Sequence, residues 1–104
     1  MLFFGAAQNV MVPATINGIA VRHIGSTAFE NAAVHTVTLP NGLQTIGARA
    51  FAGCVNLVEV SIPVSVTSIA NDAFAGSPGV TIRTTMGSAA YHFARLHGIP
   101  LQLQ

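Results

Sequence analysis

The chain has 104 residues, a formal net charge of +1, and 7% charged against 51% hydrophobic residues. Its cations are Arg22, Arg49, Arg83 and Arg95, with no lysine, which excludes the clustered basic surface that nucleic acid or an anionic membrane face requires. No apolar run reaches about 18 residues, which argues against a membrane-spanning helix, and the single cysteine, Cys54, excludes an internal disulfide.

Met1-Leu2-Phe3-Phe4 lacks a basic leader, and its apolar run is too short for a secretion signal. It reads as the first strand of the fold, so any export signal is expected outside this chain. The stretch from Pro13 to Ile24 spans 11 residues where the later Pro40 to Ile46 spans 6. The surplus holds Ile16-Asn17-Gly18-Ile19, and Asn-Gly between apolar residues predicts a two-residue β-hairpin, because both turn positions need positive φ.

From about Val34 the pattern becomes regular. Val37 and Leu39 alternate with Thr36 and Thr38, the period-two signature of a strand with one buried face. Pro40-Asn41-Gly42 turns the chain, and Leu43, Ile46, Ala50 and Phe51 supply the next inward layer. The stretch from about Leu57 repeats this. Val60 and Ile62 alternate with Glu59 and Ser61, Pro63 ends the strand, and Val66 and Ile69 lead into Ala73-Phe74-Ala75. Asp72 is placed to cap a single helical or 3₁₀ turn, and Gly76 with Pro78 closes the coil. Cys54 occupies the turn position taken by Ser77 one coil later, which reads as a small buried residue. At the C-terminus, Ser88 as N-cap and Gly98 beyond the last turn bracket a short helix. Its stripe of Ala90, Phe93, Ala94 and His97 is expected to cover the last coil.

Ala50-Phe51-Ala52-Gly53 recurs as Ala73-Phe74-Ala75-Gly76, a displacement of 23 residues that also relates Leu39-Pro40 to Ile62-Pro63 and Ile46 to Ile69. A fixed period of this length predicts a solenoid of stacked coils, mainly β, each burying its apolar face against the next. One coil alone does not offset the entropy of ordering its residues, so the coils must fold together. Parallel strands about 4.8 Å apart place Phe29, Phe51 and Phe74 in one column.

Little here suggests catalysis. Glu30, Glu59 and Asp72 are not paired at a spacing that suits acid–base work, and His23, His35, His92 and His97 lack partners at metal-ligand spacing. No catalytic, cofactor-binding or metal residue is assigned, and no cofactor is expected. The outward strand residues Thr36, Thr38, Glu59, Ser61, Thr81 and Arg83 form a hydroxyl-rich strip and are the candidate protein-binding residues; the same positions also read as ordinary solvated strand residues. The Asn17-Gly18 hairpin is a second candidate.

These residues resemble the BspA-type leucine-rich repeats. Val34-x-x-Val37-x-Leu39-Pro40 with Leu43-x-x-Ile46-Gly47-x-x-Ala50-Phe51 and Cys54 matches the family's coil, as does Leu57-x-x-Val60-x-Ile62-Pro63 with Val66-x-x-Ile69-Ala70-x-x-Ala73-Phe74. Ala70 replaces the usual Gly, and Ser77 the usual Cys. The resemblance implies a single leucine-rich repeat domain over residues 1–104. It divides into a first coil over about residues 1–33, coils over about 34–56 and 57–79, and a cap over about 80–104. The implied fold has short parallel strands in right-handed coils with 3₁₀ turns, a β-hairpin in the first coil and a C-terminal capping helix. It further implies a non-catalytic binding module for protein–protein contact or adhesion, on an extracellular or cell-surface protein, with no ligand residues that carry over. The alternative is a structural spacer or capping fragment of a longer array with no ligand of its own. A protein partner is expected, with no nucleic acid and no membrane insertion, and self-association through the N-terminal edge is a further expectation.

Overall fold

Alternation of apolar and polar residues sends every second side chain inward, and strand register lines those side chains up from coil to coil. The computed structural model describes residues 9–103; the strand expected at Met1–Phe4 lies outside them. The strands are β1 (Asn9–Met11), β2 (Thr15–Ile16), β3 (Ile19–Ala20), β4 (His23–Ile24), β5 (Thr36–Thr38), β6 (Thr45–Ile46), β7 (Glu59–Ser61), β8 (Ser68–Ile69), β9 (Thr81–Thr84) and β10 (Leu101–Leu103), with helix α1 (Ala89–His97) before β10.

A five-stranded sheet runs in the order β1-β5-β7-β9-β10, a three-stranded sheet in the order β4-β6-β8, and every pairing in both is parallel. In the larger sheet Val10, Val37, Val60, Ile82 and Leu101 occupy one register position. In the smaller one Ile24, Ile46 and Ile69 do the same. The two columns belong to one hydrophobic core, in which Val37, Val60, Ile82, Ile24 and Ile46 are buried. The expected hairpin is present as the antiparallel β2–β3 pair, with Asn17 at φ 52° and Gly18 at φ 79°. It projects from the core, all four strand residues being exposed.

The turn that follows each short strand of the smaller sheet carries the aromatic column. Phe29 and Phe51 stack with ring centroids 5.1 Å apart, and Phe51 and Phe74 at 5.2 Å, both with planes 7° from parallel. These turns contain the i→i−3 hydrogen bonds of a 3₁₀ turn, but only alternate residues make them: Ala50 to Gly47, Ala52 to Arg49, then Ala73 to Ala70, Ala75 to Asp72. The intervening amides bond across coils instead, Phe51 to the Ala73 carbonyl at 2.7 Å and Gly53 to that of Ala75 at 2.8 Å. The first two turns are therefore half local and half ladder.

This ladder corrects the role expected of Asp72. Its carboxylate does not cap its own turn; Oδ1 accepts from the Arg49 amide of the preceding coil at 3.1 Å. Arg49 sits at φ 55°, a conformation that turns its N–H toward the next coil, and the carboxylate meets it there. Gly47 shows how closely the coils approach. A Cβ there would lie 2.8 Å from the Ser26 nitrogen and 3.0 Å from the Ile24 oxygen, both main-chain atoms with no freedom to move aside.

Small hydroxyls clasp adjacent coils. Ser77 Oγ accepts from the Cys54 amide at 2.9 Å and donates to the Phe51 carbonyl at 2.6 Å. Ser65 Oγ accepts from Gly42 and donates to the Leu43 carbonyl. Thr84 is fully buried one coil beyond Ile62, where it donates to the Ile62 carbonyl at 2.9 Å and shares a hydrogen bond with Ser88 Oγ.

Ser88 caps α1, accepting from the Tyr91 amide, and Gly98 ends it in the left-handed region at φ 68°. Ala90, Phe93 and Ala94 are buried against the last coil, as the helical stripe predicts, while His97 remains exposed and stacks on Phe93. Phe51 is the middle ring of the column and wholly buried. Phe51→Ala is expected to lower stability by about 3–5 kcal/mol, read as a fall in the urea or thermal midpoint.

Candidate functional site

The outward face of the five-stranded sheet is built by the same register as the core. Asn9, Thr36, Glu59 and Thr81 lie at one position on successive strands, and Met11, Thr38, Ser61, Arg83 and Gln102 at another. All the strand residues singled out from the sequence, Thr36, Thr38, Glu59, Ser61, Thr81 and Arg83, thus share one continuous face on β5, β7 and β9. Asn9, Met11 and Gln102 extend that face at both ends and were not among them. The alternation Leu101-Gln102-Leu103 carries the signal that would have found Gln102, whereas Val10-Met11-Val12 is apolar throughout and hides Met11.

Close rung spacing leaves Thr36, Glu59, Ser61 and Thr81 half-buried, while Met11, Thr38, Arg83 and Gln102 are exposed. Thr36 Oγ1 donates to Asn9 Oδ1 at 2.7 Å. Arg83 Nη1 lies 3.9 Å from Glu59 Oε1, too far for a hydrogen bond and near enough to balance its charge. Such an exposed pair contributes little to stability. Its effect here is to leave the face without net charge.

Where β1, β5 and β7 end, Pro13, Pro40 and Pro63 line a groove of about 550 Å³ that also touches Met11, Thr38 and Ser61. It continues the outward face with an apolar, uncharged surface. The β2–β3 hairpin presents Ile19 at 73% exposure. On the smaller sheet, His23 Nδ1 and Thr45 Oγ1 are joined at 2.7 Å.

Each Asp and Glu side chain has a neighbour in the fold. Glu30 pairs with Arg49 Nε at 2.7 Å, a contact across coils that the sequence reading did not pick out. Asp72 holds the Arg49 amide, and Glu59 faces Arg83. Among the described residues, no group of three or more His, Cys, Asp or Glu side chains is arranged to hold a metal ion. No helix among them is long and apolar enough to cross a membrane.

The sequence model of the BspA type leucine rich repeat region matches residues 12–94 in six copies. The chain belongs to the BspA-type leucine-rich repeat family. The crystal structure of the T. pallidum leucine rich repeat protein is similar at 22% sequence identity and a TM-score of 0.39, the match covering 79% of this chain and 61% of that one. The chain thus spans less than two-thirds of that protein's length. No curated protein matches it.

Cys54 takes the small-residue position of this BspA-type coil as a buried thiol, with Sγ donating to the Phe29 carbonyl at 3.0 Å. Burial pushes its pKa up, against the opposing hydrogen bonds from the Ala32 main chain and Ser77. The thiol therefore stays protonated and is a poor nucleophile. The folded-state pKa lies above the unfolded one of about 8.5, so the associated stability is intact below that value and lost as pH rises through the folded pKa. The urea midpoint is expected to fall more between about pH 8 and pH 10 in the native chain than in Cys54→Ser, where nothing titrates at this position.

Proposed function

We propose that this chain is a non-catalytic protein-binding module of a surface or secreted protein, and that its partner docks on the outward face of β5, β7 and β9. The residues proposed to make that contact are Thr36, Thr38, Glu59, Ser61, Thr81 and Arg83. One observation carries the reading: strand register gathers them into a single charge-balanced face continuous with the Pro13–Pro40–Pro63 groove. A face of this kind suits a partner held by hydrogen bonds and packing, with little long-range steering. Leucine-rich repeat families bind proteins through such ruled surfaces, which supports the reading, and BspA-type repeats occur mainly on surface or secreted proteins.

Thr38→Arg, at an exposed central position, is expected to weaken binding to immobilised extracellular-matrix proteins by about tenfold or more, measured by biolayer interferometry. Ser68→Arg, on the smaller sheet, is expected to leave it unchanged. Equal losses from both variants, or none from Thr38→Arg in a chain that binds, would reject the face.

A second reading, a spacer or capping fragment of a longer array with no ligand, is favoured by the way α1 closes over β8 and β9. Self-association through the N-terminal edge belongs with it. Among the described residues, β1 and β4 are the outermost strands of their sheets at that end, and no helix covers them. Light scattering across a dilution series is expected to show mass rising with concentration; a constant monomer mass at every concentration would reject the association.

A further inference from the structure

The ladder that joins the turns stops at the third one. Phe29 donates to the Ala50 carbonyl at 2.7 Å and Asn31 to that of Ala52 at 2.8 Å. One coil on, Phe51 and Gly53 repeat this with Ala73 and Ala75 at 2.7 and 2.8 Å. The corresponding amides of the third turn belong to Phe74 and Gly76, and neither has a partner among the described residues. Their situation follows from what α1 covers. Phe93 takes the place of the next ring in the column, 6.0 Å from Phe74 and tilted by 54°, and His97 stacks on Phe93 at 4.1 Å. The helix thus supplies the side chain of a further coil without supplying its main chain. A cleft of about 330 Å³ remains between the third turn and α1, lined by Phe74, Gly76, Ser77, Val80, Phe93 and His97 among others.

We propose that this cleft receives a short main-chain segment of small, uncharged residues from a partner polypeptide, whose alternate carbonyls accept from the Phe74 and Gly76 amides. The chain itself is the template. At both earlier rungs the accepting carbonyls belong to alanines, Ala50 and Ala52, then Ala73 and Ala75. The large residue between each pair points into the aromatic column, and in the third coil that place is already filled by Phe93. An occupant must therefore be small throughout, of Gly, Ala or Ser type. None of the cleft's lining residues is Asp, Glu, Lys or Arg, so a charged segment would be desolvated without a counter-charge. Recognition is by main-chain hydrogen bonds, as when a peptide adds to a sheet edge. This site is separate from the outward face and stands or falls apart from it.

The test is a titration of the ¹⁵N-labelled full chain with N-acetyl-Ala-Gly-Ala-amide, followed by amide chemical shifts and hydrogen exchange. The Phe74 and Gly76 amide protons are expected to move downfield and exchange more slowly, while those of Phe51 and Gly53, already bonded, stay in place. The absence of any shift at Phe74 and Gly76 up to the peptide's solubility overturns the proposal. So does an equal response to N-acetyl-Leu-Phe-Leu-amide, which would make the cleft a plain apolar pocket, or a response confined to the outward-face amides.

Discussion

Every coil of this chain satisfies part of its main chain only through its neighbours. At the turns, alternate amides close i→i−3 bonds within the coil, and in the first two turns the amides of Phe29, Asn31, Phe51 and Gly53 reach a carbonyl one coil on. That division requires the coils to superpose, because a buried amide that misses its acceptor costs more than a typical bond contributes. It therefore constrains how far one coil may differ in length from the next. It also brings Gly47 so close to Ser26 that no side chain fits between them. The aromatic column, the aliphatic columns and the hydroxyl clasps all presuppose this spacing. Stability is a property of contacts between coils, as in other one-dimensional repeat architectures.

Much of this was legible in the sequence because the repeat prints it twice. The recurrence of Ala-Phe-Ala-Gly put Phe51 and Phe74 at equivalent places, and the less regular Ala28-Phe29 was enough to add a third ring. The Asn17-Gly18 hairpin was legible for a different reason: a two-residue turn is local chemistry. Asp72 was misassigned because a cap is the nearest use for a carboxylate before a turn, and its true partner is 23 residues away in sequence. The Glu30–Arg49 pair escaped for the same reason, being 19 residues apart.

The outward face was legible at its centre and not at its ends. Thr36 to Glu59 follows the repeat, and Glu59 to Thr81 nearly does. Asn9 pairs with Thr36 across a longer interval that includes the hairpin, and Gln102 reaches Arg83 after the excursion through α1. Period alone does not place a strand whose connection departs from the period. What makes the face a coherent surface is the uniform parallel pairing beneath it, which converts ordinary alternation into rows of hydroxyls, one balanced ion pair and an apolar groove at the strand ends.

Thr84 interrupts the aliphatic series of Leu39 and Ile62 with a hydroxyl, spent on the Ile62 carbonyl and on Ser88, before Leu103 takes the next place on β10. The lid's point of departure is therefore specified inside the core, by a polar bridge from the strand before the helix to the residue that caps it. Transplanting the lid onto an unrelated array would mean carrying this threonine along; a host that kept leucine there would leave the serine without its buried mate and the helix without a fixed point of departure. The helix is thus anchored by a two-residue interior lock, which works only while both hydroxyls are present.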